Sequence, residues 1–348
     1  MVNVVDAPRW ETLAESVQGV NKQRNQDACV VDGTGTLEEP LVLAVADGHG
    51  SAKHARSDIG AQRATDLFAA HAREFAALAR AEGSAGPPSL SRLMHYARHV
   101  MPRRLVAAWQ REMLGHYDRN PPRPAPGSVP PAPGSTPGSG QLPGSGSRPG
   151  PSDEQRLLLY GTTLIGAVLT PRLFAAWQLG DGELAVIECD GRPALPLAPL
   201  EADLGDETES LCGRDAWRLM RVHWAPIVDP ARTPRLITLS TDGLSKSYAS
   251  DEGFSRFVTG LDSRLDDEGT ESVRAALPTW LAKAARHSGD DTTLAAGRRL
   301  PPGPAPAPSR PGPDRHDPHD PHDPHDPHHG NDTHDTQHTH DRDNGERR

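Results

Sequence analysis

The amino-acid sequence predicts an α+β fold with mostly antiparallel sheets. Apolar, strand-like runs come in clusters, and helical segments stand between them without the regular alternation of a βαβ protein. Several of these runs end at, or begin just after, acidic residues. They are residues 41–50 (LVLAVADGHG), 173–182 (LFAAWQLGDG), 236–243 (LITLSTDG) and 288–294 (SGDDTTL). Several acids at strand edges, far apart in sequence, are typical of an oxygen-rich site for a hard divalent cation.

Composition excludes several classes of protein. Proline and glycine, 35 and 33 of the 348 residues, are too abundant for the whole chain to be core. The formal net charge is −10 and no block of lysine or arginine is present, so nucleic acid is not an expected partner. Three cysteines without a Cys-x-x-Cys pair indicate free thiols in a reducing cytosol. Without a signal-peptide pattern or a membrane-spanning apolar run, we expect a cytoplasmic protein with no membrane contact.

The first strands are predicted to form a hairpin. Residues 1–27 form a lead-in without predicted strands, residues 28–31 form a strand closed by an Asp-Gly turn, and residues 41–46 form its partner. Such a hairpin would bring Asp27 near Asp47.

Two helical regions follow the hairpin. Residues 54–80 are alanine-rich with one apolar face, on which we expect His71 to be a partly buried core residue and not a metal ligand. Residues 89–117 are also helical in pattern, with a break or kink at Pro102.

A segment rich in proline, glycine and serine separates the two halves of the chain. Residues 120–152 cannot bury enough apolar surface to offset the entropy of ordering them. Acid-ended strands lie on both sides, and neither half completes the acid set. We therefore expect a disordered insertion within one domain, with an interdomain linker as the alternative.

Strand signals return after the insertion. Residues 160–169, 173–179 and 183–188 are predicted to form a β-meander joined by short turns. The remaining predictions are strands at 236–240 and 292–296, helices at 250–258 and at 272–287 with an interruption at Pro278, and an ambiguous segment at 217–224.

The tail from residue 299 is of low complexity and repeats His-Asp-Pro in residues 316–327. Histidine-rich tracts bind transition metals, but proline at every third position prevents helix and strand. We expect a solvated, disordered tail with incidental metal affinity.

Six short motifs together resemble a known family. They are Asn25-Gln26-Asp27, Asp47-Gly48-His49-Gly50, Gly161-Thr162-Thr163, Gly180-Asp181-Gly182, Thr241-Asp242-Gly243 and Asp290-Asp291-Thr292-Thr293. Their order and spacing are similar to those of the metal-dependent protein serine/threonine phosphatases of the protein phosphatase 2C type, including bacterial ones. The resemblance implies a four-layer α-β-β-α sandwich of two antiparallel sheets, with a binuclear Mg²⁺ or Mn²⁺ site at one end. The catalytic domain would span residues 1–298 and the tail residues 299–348.

The resemblance also implies roles for the metal ligands. Asp47 would bridge the two ions, and the backbone carbonyl of Gly48 would bind one of them. Asp242 and Asp290 would bind the other. Asp181 matches the acid that, with Asp242, can hold a third and weaker ion in this family.

Catalytic and substrate-binding roles follow from the same resemblance. Asp27 would hold a metal-bound water, and His49 would be the general acid toward the leaving alcohol, with ordering of water or ligand around the cations as the alternative role. Lys22 stands where the family usually has an arginine, and Arg24 lies two residues later. Either is a candidate for the substrate phosphate, although lysine lacks the bidentate geometry of guanidinium.

The implied activity is hydrolysis of phosphoserine and phosphothreonine in proteins that kinases have phosphorylated, by a monomeric enzyme. Two alternatives are a noncatalytic phosphoprotein-binding member of the fold and a phosphatase of small phosphorylated metabolites. Three further departures from the family pattern, Gln26, Gly182 and Asp291, remove no principal metal carboxylate. A complete set of mutually repelling acids favours catalysis over binding alone.

Overall fold

Two five-stranded antiparallel sheets packed face to face form the centre of the protein. The computed structural model describes residues 9–82, 87–122, 150–198 and 209–301. The first sheet has the order β2-β3-β4-β5-β8, and its strands are β2 (Ala28–Asp32), β3 (Leu41–Ala46), β4 (Leu164–Thr170), β5 (Leu173–Leu179) and β8 (Arg221–Pro226). The second sheet has the order β1-β10-β9-β6-β7, and its strands are β1 (Trp10–Val17), β6 (Glu183–Ile187), β7 (Pro193–Ala194), β9 (Leu236–Ser240) and β10 (Thr292–Arg299).

Helices cover the outer face of each sheet. They are α1 (Ser57–Glu82), α2 (Pro87–His95), α3 (Met101–Arg119), α4 (Asp153–Leu158), α5 (Ala216–Leu219), α6 (Asp242–Ser245), α7 (Asp251–Glu268) and α8 (Thr270–Ser288). One core packs α1 and α3 on the first sheet, a second lies between the sheets, and a third packs α7 and α8 on the second sheet. The predicted α-β-β-α sandwich is therefore confirmed.

Strand β3 shows why six consecutive apolar residues form one strand. Its side chains alternate between two cores, with Val42 and Ala44 facing the helices and Leu43 and Val45 facing the other sheet. All six residues of β3 are buried. A strand buried on both faces carries no polar positions, which fits the sequence pattern.

Two strand predictions were wrong. The lead-in contains β1, an edge strand in which only Trp10 and Leu13 are buried, so its apolar signal is weak. The predicted meander stops after β5, because β6 crosses to the second sheet and pairs with β9. Gly180 and Gly182, with φ values of +89° and +94°, make this crossing in conformations that favour glycine.

Two helix interruptions also differ from expectation. The break expected at Pro102 lies before it, in a π-helical turn at Tyr96–Val100, and Pro102 sits in the first turn of α3 where its missing N–H costs nothing. Helix α8 runs through Pro278 without ending. The ambiguous segment at 217–224 divides into α5 and β8.

The chain between α3 and α4 contains the predicted insertion. Residues 123–149 of it lie outside the described residues, but Ser152 caps α4 through a capping box with Gln155. Strand β10 continues to Arg299, and the N–H of Leu300 donates to the Arg9 carbonyl at 2.8 Å. Residues 302–348, which include the predicted disordered tail, lie outside the described residues. Among the described helices, none has the length and apolar character to cross a membrane.

Candidate active site

The predicted hairpin places two of the acids side by side. Strands β2 and β3 are antiparallel, with Ala28 opposite Ala46. Asp27 precedes β2 and Asp47 follows β3, so both lie at the same end of the first sheet. The pairing confirms the expectation that Asp27 lies near Asp47.

The second sheet brings its acids to the same end. Asp242 begins α6 directly after β9, and Asp290 lies two residues before β10, the neighbour of β9. The N–H of Thr241 donates to the Thr293 carbonyl at 3.1 Å and fixes these two strand ends together. Asp181 occupies the crossing from β5 to β6, near the pair Glu183–Ser240.

Backbone contacts around Asp47 fix the loop that follows it. The N–H of Gly48 donates to the Gln26 carbonyl at 3.1 Å, and the Asp47 carbonyl accepts from the N–H of Thr163 at 2.9 Å. The N–H of Asp47 donates to Oγ1 of Thr163 at 3.0 Å. A Cβ on Gly48 would lie 2.6 Å from the Gln26 carbonyl oxygen, so only glycine fits. The threonines of the Gly161-Thr162-Thr163 motif therefore hold the acidic loop in place.

The two carboxylate oxygens of Asp27 differ in their hydrogen bonding. Its Oδ2 accepts hydrogen bonds from the hydroxyl groups of Thr241 at 2.8 Å and Thr293 at 2.7 Å. Its Oδ1 is buried without a hydrogen-bond partner among the described residues. Burial raises the pKa of Asp27 to about 7, and the charges of Asp291 and Asp242 add to the effect, against the two threonine hydrogen bonds.

The other acids affect one another strongly. Burial and the negative charges of Asp27, Asp242 and Asp290 raise the pKa of Asp47 well above its usual range. Burial and Asp242 raise the pKa of Asp181 to about 6. Burial alone would also raise the pKa of Asp242, but the Lys246 ammonium reverses the direction and lowers it. Clustered carboxylates of this kind carry a repulsion that a bound cation would remove.

Two lysine ammonium groups contact the acid cluster. Lys22 Nζ lies 2.6 Å from Oδ1 of Asp290, and Lys246 forms an ion pair with Oδ2 of Asp242. In this conformation no three Asp, Glu, His or Cys side chains of the described residues are arranged to hold a metal ion.

Of the two candidate phosphate contacts, only one faces the site. Lys22 lines the cleft beside Asp290, whereas Arg24 donates to the Ala55 carbonyl and forms an ion pair with Asp58 at 3.3 Å. Arg24 therefore holds the loop before α1 in this conformation.

His49 lies next to a second histidine, His54, which is not part of any of the six sequence motifs. The rings of His49 and His54 meet edge-on with centroids 4.7 Å apart, and His54 Nδ1 donates to the Leu158 carbonyl. Burial, then the nearby His54 and Lys53, lower the pKa of His49 to about 4. His49 Nε2 is buried with no hydrogen-bond partner among the described residues. The side chain is therefore neutral at pH 7 and has one ring nitrogen available.

Asp291 has a structural role that the sequence did not indicate. Its Oδ1 accepts from the N–H of Gly19 and its Oδ2 from the N–H of Gln26, both at 2.8 Å, and the residue is 1% exposed. Both carboxylate oxygens are thus committed to the backbone of the loop that carries Lys22 and Asp27. The contacts span more than 260 residues of sequence, which explains why local pattern gave no signal.

An open cleft of about 650 Å³ gives access to this end of the sandwich. Its lining includes most of the predicted site side chains, namely Lys22, Asp47, His49, Asp181, Asp242 and Asp290. The cleft has both charged and apolar side chains in its lining, and it joins the ends of both sheets.

A family model described as protein phosphatase 2C matches residues 18–282, most of the described domain. The chain belongs to the protein phosphatase 2C family. It is accordingly a metal-dependent protein serine/threonine phosphatase, a hydrolase of phosphate monoesters. This assignment favours the phosphoprotein hydrolase over the noncatalytic and small-metabolite alternatives. No curated protein matches the sequence.

Several solved phosphatase structures are similar to this protein phosphatase 2C domain. The catalytic domain of the serine/threonine protein phosphatase PstP, solved with two manganese ions, is 15% identical, with a TM-score of 0.48, covering 84% of this chain and 100% of that one. Stp1 from Staphylococcus aureus is 15% identical with a TM-score of 0.47, covering 83% and 94%. PppA, a regulatory component of the type VI secretion system in Pseudomonas aeruginosa, is 15% identical with a TM-score of 0.47, covering 84% and 98%.

The residues at this end of the phosphatase domain fit divalent cations in their chemistry. Oδ1 of Asp27 and Oδ1 of Asp242 are both buried and lack a hydrogen-bond partner among the described residues. Asp47 and Asp181 have raised pKa values that a nearby cation would lower again. Carboxylate and backbone oxygens are the donors that Mg²⁺ and Mn²⁺ prefer.

Proposed function

We propose that the acid cluster holds two Mg²⁺ or Mn²⁺ ions and that phosphoprotein hydrolysis takes place in the cleft above them. In this proposal Asp47 would contact both ions. The Gly48 carbonyl would bind one of them, and Asp242 and Asp290 would bind the other. One observation carries it: acids from the ends of two separate sheets converge on one cleft, and two of their buried oxygens have no hydrogen-bond partner in the part of the chain that the structure describes. When bound, the cations lower the pKa of a water and neutralise phosphoryl charge.

The chain's own side chains position the water. Asp27 is held by Thr241 and Thr293 through one oxygen, which leaves Oδ1 to accept a hydrogen bond from the attacking water. This is attack by water on phosphorus, so the P–O bond to the serine or threonine breaks without a covalent phosphoenzyme. Cysteine takes no part.

The leaving alkoxide needs a proton, and His49 is the candidate donor. Its neutral state in the free protein means that it must gain a proton when the phosphoryl dianion binds, since a nearby negative charge raises a histidine pKa. The alternative role, ordering of water or ligand around the cations, needs only the neutral ring. Lys22 supplies positive charge for the phosphoryl oxygens, and its contact with Asp290 must loosen when substrate enters.

The expected substrates are cytoplasmic proteins phosphorylated by serine/threonine kinases. We expect the enzyme to act as a monomer. Its catalytic domain would be a single domain that includes the inserted segment. The thiols of Cys29, Cys189 and Cys212 are free, which supports a reducing compartment.

The test is a manganese-dependent assay with a phosphothreonine peptide and a small phosphomonoester. We expect turnover on the peptide only when Mg²⁺ or Mn²⁺ is added, and none in chelator. Asp47→Asn and Asp242→Asn should each lose activity by about two orders of magnitude or more, because each removes a carboxylate charge that would bind the cations. Circular dichroism should show that both variants remain folded.

Asp267→Asn is the matched control, because it makes the same change at an exposed position on α7. It should keep wild-type turnover. Full turnover in chelator, or wild-type rates in Asp242→Asn, would contradict the proposed metal centre. A preference for the small phosphomonoester over the peptide would instead contradict the substrate class.

A further inference from the structure

We propose that the Lys246 ammonium serves as a built-in cation on the Asp181 side of the site, so that this phosphatase binds two divalent ions and not a third. The proposal rests on the proposed metal centre and deepens it. Lys246 Nζ forms an ion pair with Oδ2 of Asp242 and lies 3.7 Å from Oδ2 of Asp181. These are the two acids that the family resemblance assigns to a third ion.

The short helix α6 determines where the lysine reaches. Lys246 follows α6 four residues after Asp242, and its backbone N–H donates to the Asp242 carbonyl at 2.7 Å. Side chains on a helical turn lean toward its N-terminus, so a lysine at position i+4 extends over the residue at position i. The ammonium is therefore directed to Asp242 by local backbone geometry.

The lysine and a third ion would compete for the same oxygens. A divalent ion bound between Asp181 and Asp242 would lie a few ångströms from the ammonium, where like charges repel. The side chain of Lys246 is 61% exposed, so the ion pair alone is weak. Because the charge is tethered, however, its effective concentration stays high while a free ion must arrive from solution.

The remaining acids are arranged differently. Asp290 is contacted by Lys22, which comes from the distant loop before β2 and which we have assigned to the substrate phosphate. Lys246 comes from the same helical turn as its partner Asp242. Lys246 thus provides a charge next to Asp242 that we have not assigned to the substrate.

The test counts bound Mn²⁺ in the full chain by calorimetric titration and by electron paramagnetic resonance of the free ion. Four proteins are compared: wild type, Lys246→Met, Asp181→Asn and the double variant. Methionine keeps the length of the side chain and removes its charge. Any Mn²⁺ held by the histidine-rich tail is the same in all four, so it cancels in the differences.

We expect Lys246→Met to bind about one Mn²⁺ more than wild type, and Asp181→Asn to remove that ion only when Lys246 is absent. Lys53→Ala is the matched control, since Lys53 lines the same cleft without an ion pair to a carboxylate among the described residues. Its count should equal that of wild type. Lys246→Arg keeps the charge and should also match wild type.

Two results would overturn the inference and leave the phosphatase function intact. One is an unchanged Mn²⁺ count in folded Lys246→Met, and the other is a lower count in Asp181→Asn when Lys246 is present. An Mn²⁺ count that Asp242→Ala does not lower would instead contradict the metal centre itself, and the inference with it.

Discussion

At the scale of single residues, His49 is proposed to donate a proton to substrate in the cleft, although its ring is largely buried. The ring lies two positions after Asp47 at the cleft, yet burial and the neighbouring His54 keep it neutral in the free protein. A general acid works best with a pKa near the working pH. The acid role therefore depends on the charge that the substrate brings.

Comparing substrates with a poor and a good leaving group distinguishes the two proposed roles of His49, general acid and ordering of water or ligand around the cations. If it donates a proton, His49→Ala should lose about two to four orders of magnitude in kcat on an alkyl phosphate such as phosphothreonine, and much less on an aryl phosphate. The phenolate leaves without a proton, so it needs little help. Rates on both substrates at saturating Mn²⁺ make the measurement, with His95→Ala as the control at an exposed histidine. Equal losses on both, recovered by more Mn²⁺, would support the ordering role instead.

Asp27 should make the metal-free protein sensitive to pH. Its folded-state pKa of about 7 is above the ordinary value of 3.8 for an aspartate, so its contribution to stability is full below pH 3.8 and is lost as pH rises through 7. Asp27→Asn cannot titrate. In chelator, its unfolding free energy relative to wild type should rise by about 2 to 3 kcal/mol between pH 5 and pH 8.

Urea unfolding at each pH measures this difference for Asp27→Asn. Asp267→Asn on the surface of α7 should show no pH-dependent difference from wild type. A difference that stays constant from pH 5 to pH 8 would show that Asp27 is ionised normally in the folded protein.

At the scale of elements, Asp291 joins the start of β10 to the loop before β2. Asp291→Ala should destabilise the fold by about 2 to 4 kcal/mol, because it leaves the N–H groups of Gly19 and Gln26 without their acceptors. Urea unfolding measures the loss, and Asp267→Ala is the control. A loss no greater than in the control would contradict the structural role.

Local pattern predicted the strands whose partners are close in sequence. The β2–β3 hairpin and the acids at its end follow from two apolar runs that are joined by a loop at residues 33–40. Strand β6 was placed in the wrong sheet because its partner, β9, begins about 50 residues later, and no local feature distinguishes a crossing from a hairpin. Strand β1 was missed because an edge strand with two buried residues carries little apolar signal.

The sequence predicted that the candidate site residues lie close together, but it did not predict which side chains they contact. The acids at the strand ends converge as expected. The sequence could not show that Arg24 turns to Asp58, since the partner of this long side chain depends on the tertiary structure. The ion pair of Lys246 with Asp242 was missed for a different reason, because the short helix α6 that sets their i,i+4 spacing was not predicted. The structural role of Asp291 was also missed, because the two N–H groups that it accepts from, those of Gly19 and Gln26, lie more than 260 residues earlier in the sequence.

At the scale of the whole molecule, the segment between α3 and α4 should be dispensable. Replacing residues 123–149 by a short Gly-Ser linker should leave kcat/KM on a phosphopeptide and Tm unchanged, because both flanking helices are complete without it. A deletion that extends through Ser152 removes the capping box of α4 and should cost about 1 kcal/mol. Loss of folding in the shorter deletion would show that the segment contributes to the core.

The pairing of the first and last described strands has a consequence for the connectivity of the chain. Trp10 lies opposite Arg299, and the N–H of Leu300 donates to the Arg9 carbonyl. The two ends of the domain thus lie side by side, at the end of β1 and β10 away from Asp290. A circularly permuted chain that links residue 301 to residue 9, begins at residue 150 and ends at residue 122 would keep every strand pairing. We expect such a permutant to fold, because the sandwich is held by contacts that do not depend on where the polypeptide is cut.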